Sequence, residues 1–239
     1  MGYVTFACLG VSLVCLLLHL VISLIAPELQ NLSGKNLSSL SVALVGAYSS
    51  FLANMFTRDL NTMSCFLLAV SMYYFYLSAF FWMLNIAFDV ARTLKQATTE
   101  LRLTSGAQWC RFCCYLVNGW LTPAILVGVA VLLDLLHLPE LPQQYTPQFG
   151  SSAIGICWFG SRTALVIYFV VPFTVVLTLN LLLFIYSACL VWETTHSSAK
   201  ITTSGPKTSF RLYLRLATLM GLSWAAGLVA GSLDLEPVW

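Results

Sequence analysis

The hydrophobic pattern of the chain is a series of long runs that contain no charged residue. Six runs occur, at residues 4–25, 37–56, 63–88, 112–133, 163–192 and 216–233. A helix needs about 20 apolar residues to cross the hydrocarbon, because each residue adds about 1.5 Å against a thickness of about 30 Å. The runs therefore predict six membrane-spanning helices, of which the third and fifth exceed a single crossing and the sixth begins near residue 212.

The composition supports this interpretation and excludes the ordinary soluble classes. Hydrophobic residues make up 59% of the 239 residues and charged residues only 8%, against about 25% charged residues in a soluble domain. Disorder requires low hydrophobicity and high charge, and the net charge of +2 is too small to indicate a nucleic-acid partner. We predict an all-α polytopic transmembrane helix bundle that is surrounded by membrane lipid.

The basic residues are unevenly distributed between alternate loops, which predicts the orientation of the chain. Only Arg58 and Arg162 follow the second and fourth spans. The other nine of the eleven follow the first, third and fifth spans: Lys35, Arg92, Lys95, Arg102, Arg111, Lys200, Lys207, Arg211 and Arg215. Since cytosolic loops carry the excess of Lys and Arg, we predict a multi-pass plasma-membrane protein with an extracellular amino terminus.

This orientation separates the eight cysteines by compartment. Only Cys65, at the start of the third span, and Cys157, before the fifth, are predicted to reach the oxidising side, where disulfides persist. We predict a bridge between them, with two unrelated buried thiols as the alternative. The cysteines near the cytosolic side lack a fourth ligand at zinc spacing, so packing or reversible palmitoylation is favoured there: Cys110, Cys113, Cys114 and Cys189.

Enzyme and transporter functions are disfavoured by the scarcity of ionisable residues in the spans. The stretch Gly221-Leu222-Ser223-Trp224 has Trp224 where a rhomboid-type protease needs a glycine, and no histidine follows as a base. Asp89 and Asp134 are predicted at opposite membrane faces, so they do not form a protease aspartate pair. We predict that the chain is not an enzyme and that it has no cofactor and no metal site. A six-helix transporter and an intramembrane protease remain as less favoured alternatives.

Isolated polar residues inside the spans indicate a packed bundle. Asn54, Asn85, Asn118 and Asn180 place one amide in each of four helices, and His19 lies in the first. Such amides hydrogen-bond across helices at about 0.6–2 kcal/mol each, so we predict contacts between helices here. We expect His19 to be a hydrogen-bonded packing group, with a proton relay as the alternative.

An outside start, short basic inner loops and a bridge from the third helix to the next long outer loop indicate a seven-helix receptor. Gly119-Trp120 with Pro123, and Cys157-Trp158, resemble the secretin-type class. Further stretches resemble its Methuselah-like receptors: PELQNLSGK at 27–35, AFFW at 79–82 followed by Phe88-Asp89, Cys157-Trp158-Phe159, Pro172 with Asn180, and FRLYLRL at 210–216.

The resemblance implies a receptor that transmits an extracellular peptide or protein signal to a heterotrimeric G protein by rearrangement of the bundle. By this resemblance, residues 1–239 form one receptor domain that holds the first six helices. We expect the family's seventh helix and ectodomain to be absent. Ile86 replaces the glutamate of most secretin-type receptors, and Asn85 is displaced by one position from the Methuselah-like asparagine. A non-signalling truncated or dominant-negative membrane protein is the alternative.

Two groups of residues are candidates for the mechanism. An activation switch at the cytosolic end is expected from Lys35, Asp89, Arg92, Arg211 and Arg215, in which Asp89 pairs with Arg92 or Arg215. The alternative for the basic residues is that they anchor helix ends to lipid headgroups. Hinge or packing positions are expected at Gly119, Trp120, Pro123, Pro172, Gly221, Gly227 and Gly231, because small residues allow close helix contact.

Overall fold

The computed structural model describes residues 2–26, 31–56, 62–98, 106–136, 142–150 and 157–197. These residues form five long helices: α1 is Gly2–Ile25, α2 is Leu32–Phe56 and α3 is Thr62–Thr98. The next helix, α4, comprises Gly106–Leu116, a π-helical turn at Val117–Leu121 and Thr122–Leu136. The last, α5, comprises Arg162–Leu165, a π-helical turn at Val166–Val170 and Val171–Ser197.

Each of the five helices is long and apolar enough to cross a membrane, and no strand occurs in the part of the chain that the structure describes. The prediction of an all-α polytopic bundle is therefore confirmed. The sixth predicted span lies outside the described residues, together with five candidate residues: Arg211, Arg215, Gly221, Gly227 and Gly231.

All five described helices extend beyond their uncharged runs, and the extensions of α2 and α3 correct the predicted positions of two switch residues. Helix α2 begins at Leu32 because Asn31 caps it, with the Asn31 Oδ1 accepting from the Gly34 N–H at 2.8 Å. Lys35 therefore lies inside the helix and not in the preceding loop. Helix α3 continues to Thr98, so that Arg92 is also helical. A charge marks where a helix leaves the hydrocarbon, but it does not end the helix.

The chain divides into two compact units. The first combines Met1–Ile86 with Leu103–Asn180, and the second combines Ala87–Arg102 with Leu181–Trp239. In the first unit α3 is the central helix, because it carries the three largest fully buried side chains: Trp82, Tyr73 and Phe80. Helix α1 instead exposes apolar side chains along its length, including Val11 at 65% and Leu24 at 78%. In a membrane protein this face is solvated by lipid.

Two glycines set how closely α3 approaches its neighbours. A Cβ at Gly119 of α4 would lie 2.5 Å from the Trp82 ring, and a Cβ at Gly46 of α2 would lie 2.5 Å from the Phe75 ring. Both distances are well below a van der Waals contact, so an aromatic ring of α3 packs directly on the backbone of each neighbour. The interpretation of Gly119 as a packing position agrees with this contact.

The polar residues of the spans behave as predicted at most positions. The His19 Nδ1 lies 3.0 Å from the Ser41 Oγ, which joins α1 to α2. The Asn118 Nδ2 donates to the Asn85 Oδ1 at 2.7 Å, which joins α4 to α3. Asn180 is different, because its Nδ2 donates to the Val176 carbonyl of its own helix at 3.0 Å. The predicted contact of Asn180 with another helix is therefore not what the structure shows.

Candidate functional site

A disulfide joins Cys65, in the first turn of α3, to Cys157, which precedes α5. Their Cα atoms are 5.1 Å apart and both residues are buried. The predicted bridge is confirmed, and the alternative of two unrelated thiols is wrong. The disulfide attaches the segment before α5 to the start of α3. We call the part of the first unit around this bridge the disulfide end.

Asn54, in the last turn of α2, holds the same segment through its amide. The Asn54 Nδ2 donates to the Cys157 carbonyl at 2.9 Å, and its Oδ1 accepts from the Cys157 N–H at 2.9 Å. The side chain is only 4% exposed, so both bonds are shielded. One amide thus satisfies both backbone groups of the residue that the disulfide anchors. Asn54 also reaches another helix, as predicted, because its Nδ2 lies 3.8 Å from the Met72 Sδ of α3. Sequence reasoning missed the Cys157 partner, which is 103 residues away.

Asp134, near the end of α4, fixes a tight turn at the disulfide end. Its carboxylate accepts from the Gln148 N–H at 2.6 Å and from the Phe149 N–H at 3.2 Å. The backbone enters the left-handed region at Gln148, with φ of 51°, and at Gly150, with φ of 89°. A carboxylate that accepts two backbone N–H groups stabilises such a turn. Asp134 had no predicted role, because its partners lie in a loop of irregular sequence.

The turn carries Phe149 into a group of aromatic side chains that we call the aromatic cluster. The buried Phe149 ring lies 4.8 Å from Phe159, 5.9 Å from Phe66 and 6.2 Å from Tyr73, measured between centroids. The cluster joins α3, α5 and the two loop segments: Phe66, Tyr73, Phe149, Trp158, Phe159 and Phe169. The Phe149 pairs include an edge-to-face contact with Phe66 and a stacked contact with Tyr73, and aromatic pairs in such arrangements each contribute about 0.5–1.5 kcal/mol beyond area burial.

Each predicted proline hinge lies two residues after the end of a π-helical turn. The Thr122 N–H bonds the Val117 carbonyl and the Val171 N–H bonds the Val166 carbonyl, both five residues apart. Pro123 and Pro172 come next. A proline has no N–H for the carbonyl four residues before it, so helical bonding is weakened at these points. Gly119 and Trp120 lie inside the first of the two turns.

Helix α3 donates side-chain hydrogen bonds at both π-helical turns. The Tyr73 hydroxyl donates to the Tyr168 carbonyl at 2.7 Å. In a regular α-helix this carbonyl would accept from the N–H of residue 172, but Pro172 has no N–H.

At the other turn, in α4, the Tyr74 hydroxyl donates to the Trp120 carbonyl at 3.4 Å. The Asn85 Nδ2 donates to the Tyr115 carbonyl at 3.0 Å, two residues before that turn begins. Side chains of α3 therefore supply donors at or next to the points where the helical bonding of α4 and α5 is interrupted.

At the other end of the first unit, Lys35 lies over two aromatic rings of α4. Its Nζ is 4.6 Å from the Trp109 centroid and 5.6 Å from the Phe112 centroid. A cation at this distance is attracted by the face of an aromatic ring, at about 0.5–1 kcal/mol where the site is exposed. Lys35 thus joins α2 to α4, a contact that the expected switch function did not include.

The second unit holds two more of the predicted switch residues. Asp89 is 7% exposed, and its backbone carbonyl accepts from the Thr93 hydroxyl at 2.8 Å. Arg92 is exposed on the same helix. Arg215, the other expected partner of Asp89, lies outside the described residues, so the pairing stays a prediction.

The chain belongs to the secretin family of seven-transmembrane receptors, because the family model matches residues 1–234. It is similar to the G-protein coupled receptor Mth2 of Drosophila simulans, at 26% identity over 95% of this chain and 43% of that protein. It is similar to the probable G-protein coupled receptor Mth-like 10 of Drosophila melanogaster, at 25% identity over 95% and 41%.

A third relative is the human cadherin EGF LAG seven-pass G-type receptor 1, at 31% identity over 97% of this chain and 7% of that protein. The two Drosophila relatives confirm the resemblance to Methuselah-like receptors. The family is one of receptors and not of enzymes, which agrees with the prediction for this chain. The chain spans less than half the length of the curated relatives that it matches.

Proposed function

We propose that this chain forms the signal-transmitting helix bundle of a plasma-membrane receptor that couples an extracellular ligand to a heterotrimeric G protein. Its amino terminus faces outward, and the disulfide end is extracellular. The orientation is supported by the nine-to-two distribution of Lys and Arg. It is also supported by the disulfide between Cys65 and Cys157, because disulfides persist on the oxidising side.

The observation that carries the proposal is the set of hydrogen bonds from α3 at and beside the π-helical turns of α4 and α5. A ligand shifts a bundle between two packings only by its different affinity for them. The shift needs places where helices can change shape, and a π-helical turn followed by proline is such a place. Tyr73 is part of the aromatic cluster, and its hydroxyl bonds the Tyr168 carbonyl of α5. A ligand that moves the cluster therefore also acts on α5.

We propose that the packing with this Tyr73 bond is the resting state of the receptor. The aromatic cluster then fills the extracellular mouth between α3 and α5, with Phe149 as the loop residue that closes it. A peptide or protein ligand would contact this surface and loosen the cluster. The candidate switch residues Lys35 and Asp89 would each respond by changing their contacts, and the G protein would then bind.

Nucleotide exchange tests the coupling. Membranes from cells that express the chain are mixed with purified heterotrimers of each Gα class, and binding of a non-hydrolysable GTP analogue is followed over time. We expect exchange above that of membranes lacking the chain for at least one class when a relative's seventh helix is supplied to the chain in cis, because two-state receptors populate the active packing without ligand. Exchange equal to the control for every class would favour the alternative, a non-signalling membrane protein.

A further inference from the structure

Helix α4 carries three cysteines on one side near its first turn. Cys110, Cys113 and Cys114 are spaced by three and four residues, a spacing that places side chains on one helical face. All three are exposed, which rules out the interpretation that they pack between the described helices. In a membrane-spanning helix, an exposed face of this kind contacts lipid or the headgroup layer.

The depth of these cysteines follows from their neighbours. Trp109 is 64% exposed, and the Lys35 ammonium lies over its ring. Tryptophan and lysine are typical of the headgroup level, where an amphipathic ring and a charge both stay hydrated. At about 1.5 Å per residue, Cys114 lies about 8 Å along the helix axis from Trp109. All three thiols are therefore within one or two turns of the membrane surface.

We propose that Cys110, Cys113 and Cys114 are sites of reversible S-acylation by long-chain fatty acids. The donor is a long-chain acyl-coenzyme A. The cysteine sulfur attacks the acyl carbonyl carbon and forms a new thioester, while the bond from that carbon to the coenzyme A sulfur breaks. The thiol proton goes to the coenzyme A thiolate, so no oxidant or reductant is needed. Juxtamembrane cysteines are the usual acceptors of such chains.

Of the other described cysteines, only Cys189 of α5 is also exposed near the cytosolic side, and it is the single cysteine of its helix, so it is tested by a variant of its own. Cys15 is exposed on α1, but it lies ten residues before Ile25, about 15 Å from that end of the helix and deep in the hydrocarbon. Cys65 and Cys157 are joined in the disulfide and have no thiol. No group of side chains that could hold a metal ion occurs among the described residues, so zinc does not compete for the three thiols there.

The proposal rests on the orientation given above, which places the start of α4 in the cytosol, where acyl-coenzyme A is available. It does not rest on coupling to a G protein. An acylated α4 would insert its chains beside the helix, and each buried CH₂ group would add to the membrane affinity. The modification would anchor the end of α4 that contacts Lys35 of α2 at the bilayer surface.

Acyl exchange measures the modification directly. The full chain is expressed in animal cells, free thiols are blocked, thioesters are cleaved with hydroxylamine, and the released thiols are coupled to a polyethylene-glycol maleimide that adds one mass step per site. We expect up to three hydroxylamine-dependent steps. The variant with all three α4 cysteines changed to serine should lose them. A Cys8→Ser, Cys15→Ser double variant is the matched control, because both residues are exposed on α1 and should keep them.

Absence of any hydroxylamine-dependent step in the unchanged chain would overturn the proposal, provided that an endogenous acylated protein in the same membranes shows its step. An unchanged pattern in the triple variant would also overturn it. Cys189→Ser then shows whether the fifth helix carries the acyl group instead. The triple variant must retain the Cys65–Cys157 disulfide on a non-reducing gel, which shows that it is folded.

A separate labelling experiment distinguishes a wrong orientation from a wrong acylation site. Gln144 is exposed in the loop before α5, and a Gln144→Cys variant should react with a membrane-impermeant maleimide on intact cells. Labelling at position 144 without acylation would overturn only the acylation proposal. Protection of position 144 on intact cells would overturn the orientation, and the acylation proposal with it.

Discussion

Replacing Asn54 by alanine should release the loop that carries Cys157. The substitution removes two hydrogen bonds of 2.9 Å and leaves the N–H and carbonyl of Cys157 without their partner in a buried site. A buried polar group that loses its partner costs about 1–3 kcal/mol. The two groups together predict a loss of about 2–6 kcal/mol from the docked state of the loop, with the lower value applying if water enters.

Two measurements check this magnitude. The first is thermal unfolding of the purified protein in detergent, where the midpoint should fall by several degrees. The second is the rate at which a reducing agent opens the Cys65–Cys157 disulfide. An undocked loop exposes the bond, and 2 kcal/mol corresponds to about a 30-fold larger undocked population. Reduction should therefore accelerate by at least that factor.

Asn180→Ala is the matched control, because the Asn180 amide bonds only a carbonyl of its own helix among the contacts described. It should leave the disulfide reduction rate unchanged. Asn54→Asp is a second informative variant, since it keeps an acceptor for the Cys157 N–H but places a carboxylate against the Cys157 carbonyl. It should be at least as destabilising as alanine. Equal stability and reduction rates for Asn54→Ala and Asn180→Ala would refute the reasoning.

Two further predictions concern the packing of α4. Gly119→Ala should destabilise the bundle by about 1–3 kcal/mol in thermal unfolding, because the new Cβ overlaps the Trp82 ring. Gly128→Ala is the control, since its Cβ meets no atom within 4 Å and the change should be neutral. Equal effects of the two substitutions would contradict the contact. Asp134→Ala should free the turn at Gln148 and increase proteolytic cleavage there on the extracellular side, whereas uncut protein in both forms would argue against the carboxylate clamp.

The regular parts of the fold could be predicted because they depend on local composition. An uncharged run of about 20 residues has few alternatives to a helix in a membrane, since backbone groups must bond internally. The disulfide was predictable for a different reason, because the orientation left only Cys65 and Cys157 on the oxidising side. Both inferences use the membrane as a constraint, and neither depends on the details of packing.

The contacts that assemble the candidate site were not predictable in the same way. Asn54 and Cys157 are 103 residues apart, and nothing near either residue marks the other as its partner. Asp134 bonds backbone N–H groups, which every residue carries, so its sequence gives no specific signal. Asn180 resembles the other three asparagines in sequence, yet its amide bonds its own helix because of the direction in which its side chain points.

The prolines gave a partial signal for the π-helical turns. Pro123 and Pro172 indicated weak points in α4 and α5, and in the structure a π-helical turn ends two residues before each proline. The sequence did not indicate that α3 would donate a hydrogen bond at each turn. That arrangement depends on the position of Tyr73 and Tyr74 relative to helices distant in the chain.

The most direct test of signal transmission through α3 is nucleotide exchange by the Tyr73→Phe variant, with the same seventh helix supplied in cis. This change removes only the hydroxyl that donates to the Tyr168 carbonyl at 2.7 Å, a bond of about 1 kcal/mol. If the bond stabilises the resting packing, its loss should raise ligand-free exchange up to about fivefold. Tyr48→Phe, a half-buried tyrosine of α2, is the control and should leave exchange unchanged. Exchange that is identical in Tyr73→Phe, Tyr48→Phe and the unchanged chain would contradict a signalling role for this contact.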